Sequence, residues 1–489
     1  MTVPTERPGI DVGAGRVLGT RDAGIDRFLG VPFAAPPFGA RRFAPPAPPE
    51  PWEGERDASA FSATAPQTAY VGGIEKHLGS VEIAGDDILT VNVWTPANRE
   101  AGHPLPVLVF VHGGALSRGT PALAPYDGET FARHGIVYVS IAYRVGSEGF
   151  SVLEGVQANL GLLDQIAALE WVRREIGAFG GDPQNVTAMG HSAGGNTLAA
   201  LLAHPRAEEF FDRVIVQSGP LTAMRPAKSG RMTRAVAKRL GVAATRDGFA
   251  SRTPGELVAA QTAAAAGGSP LGGGPTFALT IGGEAIPSDP YAALRRGAGR
   301  NIPVLIGSTS EEYRLWFVPS GQLDRISNTA LTVARIATHV SRRAVALYRA
   351  HRPGAKPGEI LGAIATDTLL RRPLTTFADT RVDAPAPTYV YEFAWQSPHA
   401  GLGAAHGMEL GFVFDTLSSA DSAAMGGTEG PQALADAMHA AWVSFVKTGN
   451  PGWAPWSEGR GTEVFDADGG HLVHNLRADE LAVLPAERD

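Results

Sequence analysis

The chain has no cysteine among its 489 residues. Disulfides, thiolate metal sites and a cysteine nucleophile are excluded together by that one absence. A basic surplus is missing as well: 42 Lys and Arg stand against 49 Asp and Glu, a formal charge of −7. Such a balance does not neutralise phosphates, so nucleic-acid binding has no electrostatic support. Long hydrophobic runs are also lacking. The longest, Pro106–Val111, falls far short of the roughly 18 residues of a spanning helix, and no membrane span is expected. The opening residues, MTVPTERPGIDVGAGRVLG, carry Glu6 and Asp11 but no apolar stretch of about 7–15 residues like that of a secretory signal. A cytoplasmic protein is the expectation. No repeat is visible, and nothing in the sequence calls for a cofactor or a metal.

What is present is a change of texture along the chain. Prolines at 32, 36, 37, 45, 46, 48, 49 and 51 confine much of the first 65 residues to loop, edge strand or extended chain. Beyond them, Leu89–Trp94, Val107–Val111 and Val137–Ala142 are β-branched or aromatic runs bounded by turn residues, and read as buried strands. The steps of three and four from Leu163 through Ile166, Leu169, Val172 and Ile176 predict a helix over Leu160–Phe179, stopped by Gly180-Gly181. A strand (Val186–Met189), a helix (Asn196–Ala203) and two more strands (Val214–Gln217 and Val304–Ile306) follow. Strands alternating with helices indicate a largely parallel sheet covered on both faces. We expect a single large α/β domain over 1–489, with mostly helical insertions at 225–300 and 318–385 forming a cap or lid. Within the first, Thr253-Pro254-Gly255-Glu256 is a capping-box pattern, and Ala263–Gly274 reads as a surface connector.

Gly190-His191-Ser192-Ala193-Gly194 lies between a predicted strand and a predicted helix, the context of a nucleophile elbow. A hydroxyl there protrudes from a strained turn, and the helix amino terminus sets free N–H groups beside it. His112-Gly113-Gly114-Ala115 leaves the strand ending at Val111. Small residues there let backbone amides face a tetrahedral oxyanion, together with the amide of Ala193. In isolation the same residues fit an ordinary glycine turn. A serine hydroxyl needs a base, and the base a carboxylate, in the chain order Ser, acid, His. Seven histidines lie beyond residue 300: His339, His351, His399, His406, His439, His471 and His474. Position in the glycine-rich loop 400–407 favours His406 without deciding among them.

These segments resemble the type-B carboxylesterase family, which includes bacterial para-nitrobenzyl esterases and animal cholinesterases. The resemblance rests on FLGVPFAAPPFGARRFAPP (28–46), DDILTVNVWTP (86–96), VHGGALSRG (111–119) and the long run 158–195. GSTSEE (307–312), HGMELGFVF (406–414) and WVSFVKTGNPGWAPW (442–456) extend it. It implies an α/β-hydrolase fold and hydrolysis of small-molecule carboxylic esters through an acyl-enzyme. Matched residue by residue, it places the catalytic triad on Ser192, Glu312 and His406 and the oxyanion hole on Gly114, Ala115 and Ala193. Glu311 is the alternative acid. Leu116, Tyr313 and Trp316 are the expected substrate contacts. Two ion pairs, Arg42 with Asp86 and Arg144 with Asp164, are implied as architecture.

The departures carry information. His191 stands where the family usually has glutamate, which removes a negative charge beside the base. Adjacent residues at a tight turn point apart, so His191 is not expected to be the base itself. Ile88 replaces a family cysteine, and no tryptophan lies between Trp52 and Trp94 to floor a choline site. Arg118 and Arg314 flank the catalytic segments and are read first as solvated surface charges, second as contacts for an anionic substrate. Two rival functions remain: an acyltransferase using the same acyl-enzyme, and an idle binding protein of the same fold.

Overall fold

The β-branched runs build the centre of an eleven-stranded sheet. In the computed structural model, residues 7–100, 102–266, 274–428 and 430–485 are described. Three short strands, β1 (Gly9–Val12), β2 (Gly15–Leu18) and β5 (Glu55–Asp57), form a small separate sheet. The main sheet contains β3 (Thr20–Asp22), β4 (Ile25–Pro32), β6 (Thr90–Pro96), β7 (Leu105–Val111), β8 (Val137–Ile141) and β9 (Gly181–His191). It continues with β10 (Arg213–Gln217), β11 (Val304–Thr309), β12 (Thr388–Phe393), β13 (Gly461–Asp466) and β14 (Gly469–His474). Its spatial order is β14-β13-β12-β11-β10-β9-β7-β8-β6-β4-β3. Pairing is parallel from β8 through β7 and β9 to β13, and antiparallel at both margins.

Burial on both faces explains why the central strands lack polar alternation. In β7, Val107, Val109 and Val111 join one core layer while Leu108 and Phe110 join the other. Helices Leu160–Glu175 and Ala193–Leu202 cover the first layer, and helix Gln432–Thr448 the second. The long helix tightens over Ile176–Phe179 and ends at Gly180, whose φ of +84° suits glycine.

The proline-rich start is more ordered than its composition suggests. β4 pairs with β3 on one side and β6 on the other, so it is not an edge strand. Its proline is the final residue, and the ladder before Pro32 loses no donor to it. Of the two expected ion pairs, Arg144 meets Asp164 at 2.7 Å, both fully buried. The other is corrected: Arg42 Nε donates to Glu148 at 3.0 Å, and the side chain turns inward to that buried carboxylate while Asp86 stays exposed.

Residues 225–300 hold the helices Arg231–Leu240, Arg246–Ala250, Pro254–Ala265 and Pro290–Arg295. The capping box forms, with the Glu256 amide donating to Thr253 Oγ1 and the Thr253 amide to Glu256 Oε2. Part of the Ala263–Gly274 connector, residues 267–273, lies outside the described residues. Residues 318–385 hold Asn328–Ala337, Arg342–His351 and Pro357–Thr366, which share a small core of their own around Tyr348 and Ile360, and Arg372–Thr380, whose Leu374, Phe377 and Ala378 pack into the first core layer of the main sheet.

Candidate active site

Ser192 sits at the turn from β9 into helix Ala193–Leu202 with φ 55° and ψ −119°. Few L residues adopt that backbone, and it persists only where the surroundings enforce it. Gly190 and Gly194 allow the close crossing. A Cβ at Gly194 would lie 2.1 Å from the Val111 carbonyl oxygen. The Ser192 amide donates to the Gln217 carbonyl at 2.8 Å, which ties the turn to β10.

His406, in the loop after β12, places Nε2 2.8 Å from Ser192 Oγ. On its other side, Nδ1 hydrogen-bonds Glu312 Oε2, and Glu312 follows β11. Glu312 Oε1 accepts from Ser218 Oγ at 2.6 Å and from the Thr309 amide at 2.8 Å. Burial alone would push this carboxyl up. The charge and hydrogen bond of His406, with the Ser218 and Thr309 bonds, outweigh burial and hold it below the ordinary glutamate value. Three residues from three strand ends are thus joined in one hydrogen-bonded line, fully buried at its carboxylate end.

The turn after β7 is strained in succession: Gly114, Ala115 and Leu116 all have positive φ, of 117°, 55° and 59°. Left-handed backbone at the two non-glycine residues costs about 1 kcal/mol or more each. The turn's own bonds run from the Ser117 and Arg118 amides to the Gly114 carbonyl. His112 is stacked on Tyr143, whose hydroxyl donates to the His112 carbonyl at 2.8 Å. Burial lowers the His112 imidazole to about 4, so it stays neutral.

The other expected site residues are placed as follows. Leu116 is buried within the strained turn. Trp316 lies over His406, with ring centroids 4.9 Å apart. Tyr313 packs into the helical layer, against Phe317 and against Gly362, where a Cβ would meet its ring at 2.1 Å. Glu311 is engaged elsewhere: Arg314 Nε donates to it at 2.7 Å, while Arg314 Nη2 reaches Glu359 and Nη1 the Gly401 carbonyl. Arg118 donates to the Ala69 carbonyl and covers the Tyr70 ring, while Gln67 exchanges two bonds with Gly119. Neither arginine is a free surface charge.

Two features escaped the sequence reading, both behind His191, whose ring lies beside the base with its centroid 4.7 Å from that of His406. Behind it, Glu409 is fully buried, with Oε1 3.8 Å from His191 Nε2 and 3.5 Å from Ser218 Oγ. Its signal was a lone charge in the apolar run Met408-Glu409-Leu410. Further back, Arg371 Nη2 reaches the Thr309 and Ser310 carbonyls at 3.5 and 3.3 Å, and its Nε donates to Glu392. Glu392 is bonded in turn by Arg477 at 2.8 Å, so the carboxyl-terminal segment is linked to the turn bearing Glu312.

A strained serine at a strand-to-helix turn, on a mostly parallel sheet of this order, belongs to the α/β-hydrolase class of folds. Within that class the chain belongs to the carboxylesterase family, whose pattern matches residues 6–463, and it is a carboxylic ester hydrolase. It is 33% identical to the para-nitrobenzyl esterase of Bacillus subtilis (strain 168), covering 93% of this chain and 94% of that one. To the phenmedipham hydrolase of Pseudarthrobacter oxydans it is 34% identical, covering 91% of each. The solved structure of a Geobacillus stearothermophilus carboxylesterase superposes with a TM-score of 0.86 at 31% identity, over 98% of this chain and all of that one. No helix among the described residues is long and apolar enough to cross a membrane.

Proposed function

We propose that Ser192 is the nucleophile, His406 the general base and Glu312 the acid that orients it. The observation that carries this reading is the unbroken hydrogen-bonded line from Ser192 Oγ through His406 to Glu312. His406 Nε2 takes the Ser192 proton as Oγ attacks the ester carbonyl. The resulting imidazolium faces Glu312, whose buried charge offsets it. The amides of Gly114, Ala115 and Ala193 receive the oxyanion. His406 then gives its proton to the departing alcohol, and a water repeats the sequence to release the acid. No cofactor takes part in any of these steps.

The substrates in this reading are apolar or aryl esters. In this reading Leu116, Tyr313 and Trp316 are the substrate contacts, of which the Trp316 ring lies over His406, and the relative named para-nitrobenzyl esterase supports an aryl preference. The arginines beside the site are engaged by Glu311, Glu359 and the Ala69 carbonyl, which argues against an anionic substrate. The insertions at 225–300 and 318–385 act as the cap, the second being joined to the acid turn through Arg314 and Glu359. A cytoplasmic location completes the proposal, and cell fractionation with an activity assay tests it. The chemistry is tested by organophosphonate labelling followed by peptide mass analysis. An adduct on the Ser192 peptide is expected; an adduct elsewhere overturns the assignment. An ester panel varying acyl length, ring content and charge tests the substrate class.

A further inference from the structure

Two glutamates share one sealed space behind His406. Glu312 and Glu409 are both fully buried, and the Ser218 hydroxyl lies between them, 2.6 Å from Glu312 Oε1 and 3.5 Å from Glu409 Oε1. Ser218 has a single proton to donate. Two carboxylates so close, out of contact with water, do not both ionise. The hydrogen bonds say which one does. Glu312 receives three donors, from Ser218, Thr309 and His406, whereas Glu409 has the long contact to Ser218 and its own backbone amide, and its Oε2 has no partner among the described residues.

Among the described residues, the titratable groups facing Glu409 are Glu312, His191 and, farther off, the phenols of Tyr126 and Tyr391, with no lysine or arginine. Two acceptors for a Glu409 proton are at hand among the described residues, the Ser218 oxygen at 3.5 Å and the ring of His191. Its Nε2 is buried without a partner among the described residues and lies 3.8 Å from Glu409 Oε1, a gap that a small side-chain rotation closes. Burial, and then the neighbouring charge of His406, hold His191 well below the ordinary histidine value, so it is a neutral acceptor.

We propose that Glu409 is a positioning residue of the ester hydrolysis, a protonated acid shared with His191 that leaves the Ser218 hydroxyl wholly to Glu312. This rests on the assignment of Ser192, His406 and Glu312 above. Loss of the Glu409 proton creates a second acceptor for Ser218 and a second anion beside Glu312, and His406 loses its fixed orientation. Burial, and then the charge of Glu312, push the Glu409 carboxyl up to about 8, which puts that loss in an accessible range.

The test is the pH dependence of kcat on a neutral ester with a non-titrating alcohol. Wild type is expected to fall about tenfold between pH 7 and 9.5, with KM changing less. Glu409→Gln retains a neutral donor of the same shape, so it should keep its pH 7 activity within about threefold and show no such fall. Ser218→Ala, which removes the contested hydroxyl, should have a lower kcat at pH 7 and a shallower alkaline fall. A second measurement is independent of activity. Because the folded Glu409 holds its proton more tightly than the unfolded chain does, wild-type stability drops as pH rises from about 4.5 toward about 8. The Glu409→Gln variant should therefore gain Tm relative to wild type across that window. An equal alkaline fall in both proteins, or a Tm difference independent of pH, overturns the role of Glu409. Retention of activity by Ser192→Ala instead overturns the triad assignment beneath it.

Discussion

The two ends of the catalytic line are held by different means. At the serine end the backbone does the placing: Ser192 is fixed by a left-handed turn, by glycines at a strand–helix crossing and by an amide bond to β10. At the carboxylate end side chains do it: Glu312 is aimed by Ser218, Thr309 and His406, with Arg371 reaching the Thr309 and Ser310 carbonyls behind it. A backbone-held group tolerates almost no added volume. A group held by side chains tolerates shape changes but is sensitive to charge and hydrogen-bond count.

The largest effects should break the serine end. Ser192→Ala is expected to lower kcat by at least about 10³-fold and to abolish organophosphonate labelling, because the three groups act as a unit. Gly194→Ala should do comparable damage by a different route. Its Cβ would lie 2.1 Å from the Val111 carbonyl oxygen, so β7, which carries the Gly114 turn, must move. The expected outcome is loss of most activity together with a lower Tm, read by thermal unfolding beside the assay.

The acid end sharpens the contrast. Glu312→Gln keeps shape and removes charge, so folding should survive while kcat drops roughly 10²–10⁴-fold. Glu311→Gln should cost less than about tenfold, since its carboxylate serves Arg314. If the two glutamines rank the other way, the acid is Glu311. The smallest effect is expected at Arg118→Gln, which releases Tyr70 and the Ala69 carbonyl on a partly exposed loop. A change in KM of less than about threefold, with kcat unaltered, is the expected outcome of steady-state assays on that variant.

The same contrast decides what was legible in the sequence. The elbow could be read because its requirement is local: glycines two residues either side of a serine, after an apolar strand and before a helix. The central strands and helix Leu160–Glu175 could be read from periodicity, which local burial imposes. Glu312 and His406 could not be derived that way. They lie 94 residues apart in the chain; the glycine-rich loop favoured His406 without deciding it, and family resemblance supplied both. The Arg42 assignment shows the weakness of that route, since an aligned position is not a contact, and the arginine turned to Glu148 instead. β4 was obscured by prolines that begin only at its final residue. The role of Glu409 was hidden for a physical reason. A lone charge in an apolar run does not say what faces it, and the surroundings of Glu409 come from β9, β10 and the turn after β11.

The link from Arg477 through Glu392 and Arg371 to the Thr309 and Ser310 carbonyls bears on how the enzyme can be handled. Immobilising it on a resin by a tag fused beyond residue 477 would apply tension along that route toward the acid turn. A tether at the opposite end of the chain enters through the small sheet of β1, β2 and β5, which has no strand in common with the sheet carrying Ser192 and is bonded to it at β4, through the Leu29 amide and the Ala58 carbonyl, so load applied there enters at the sheet's margin.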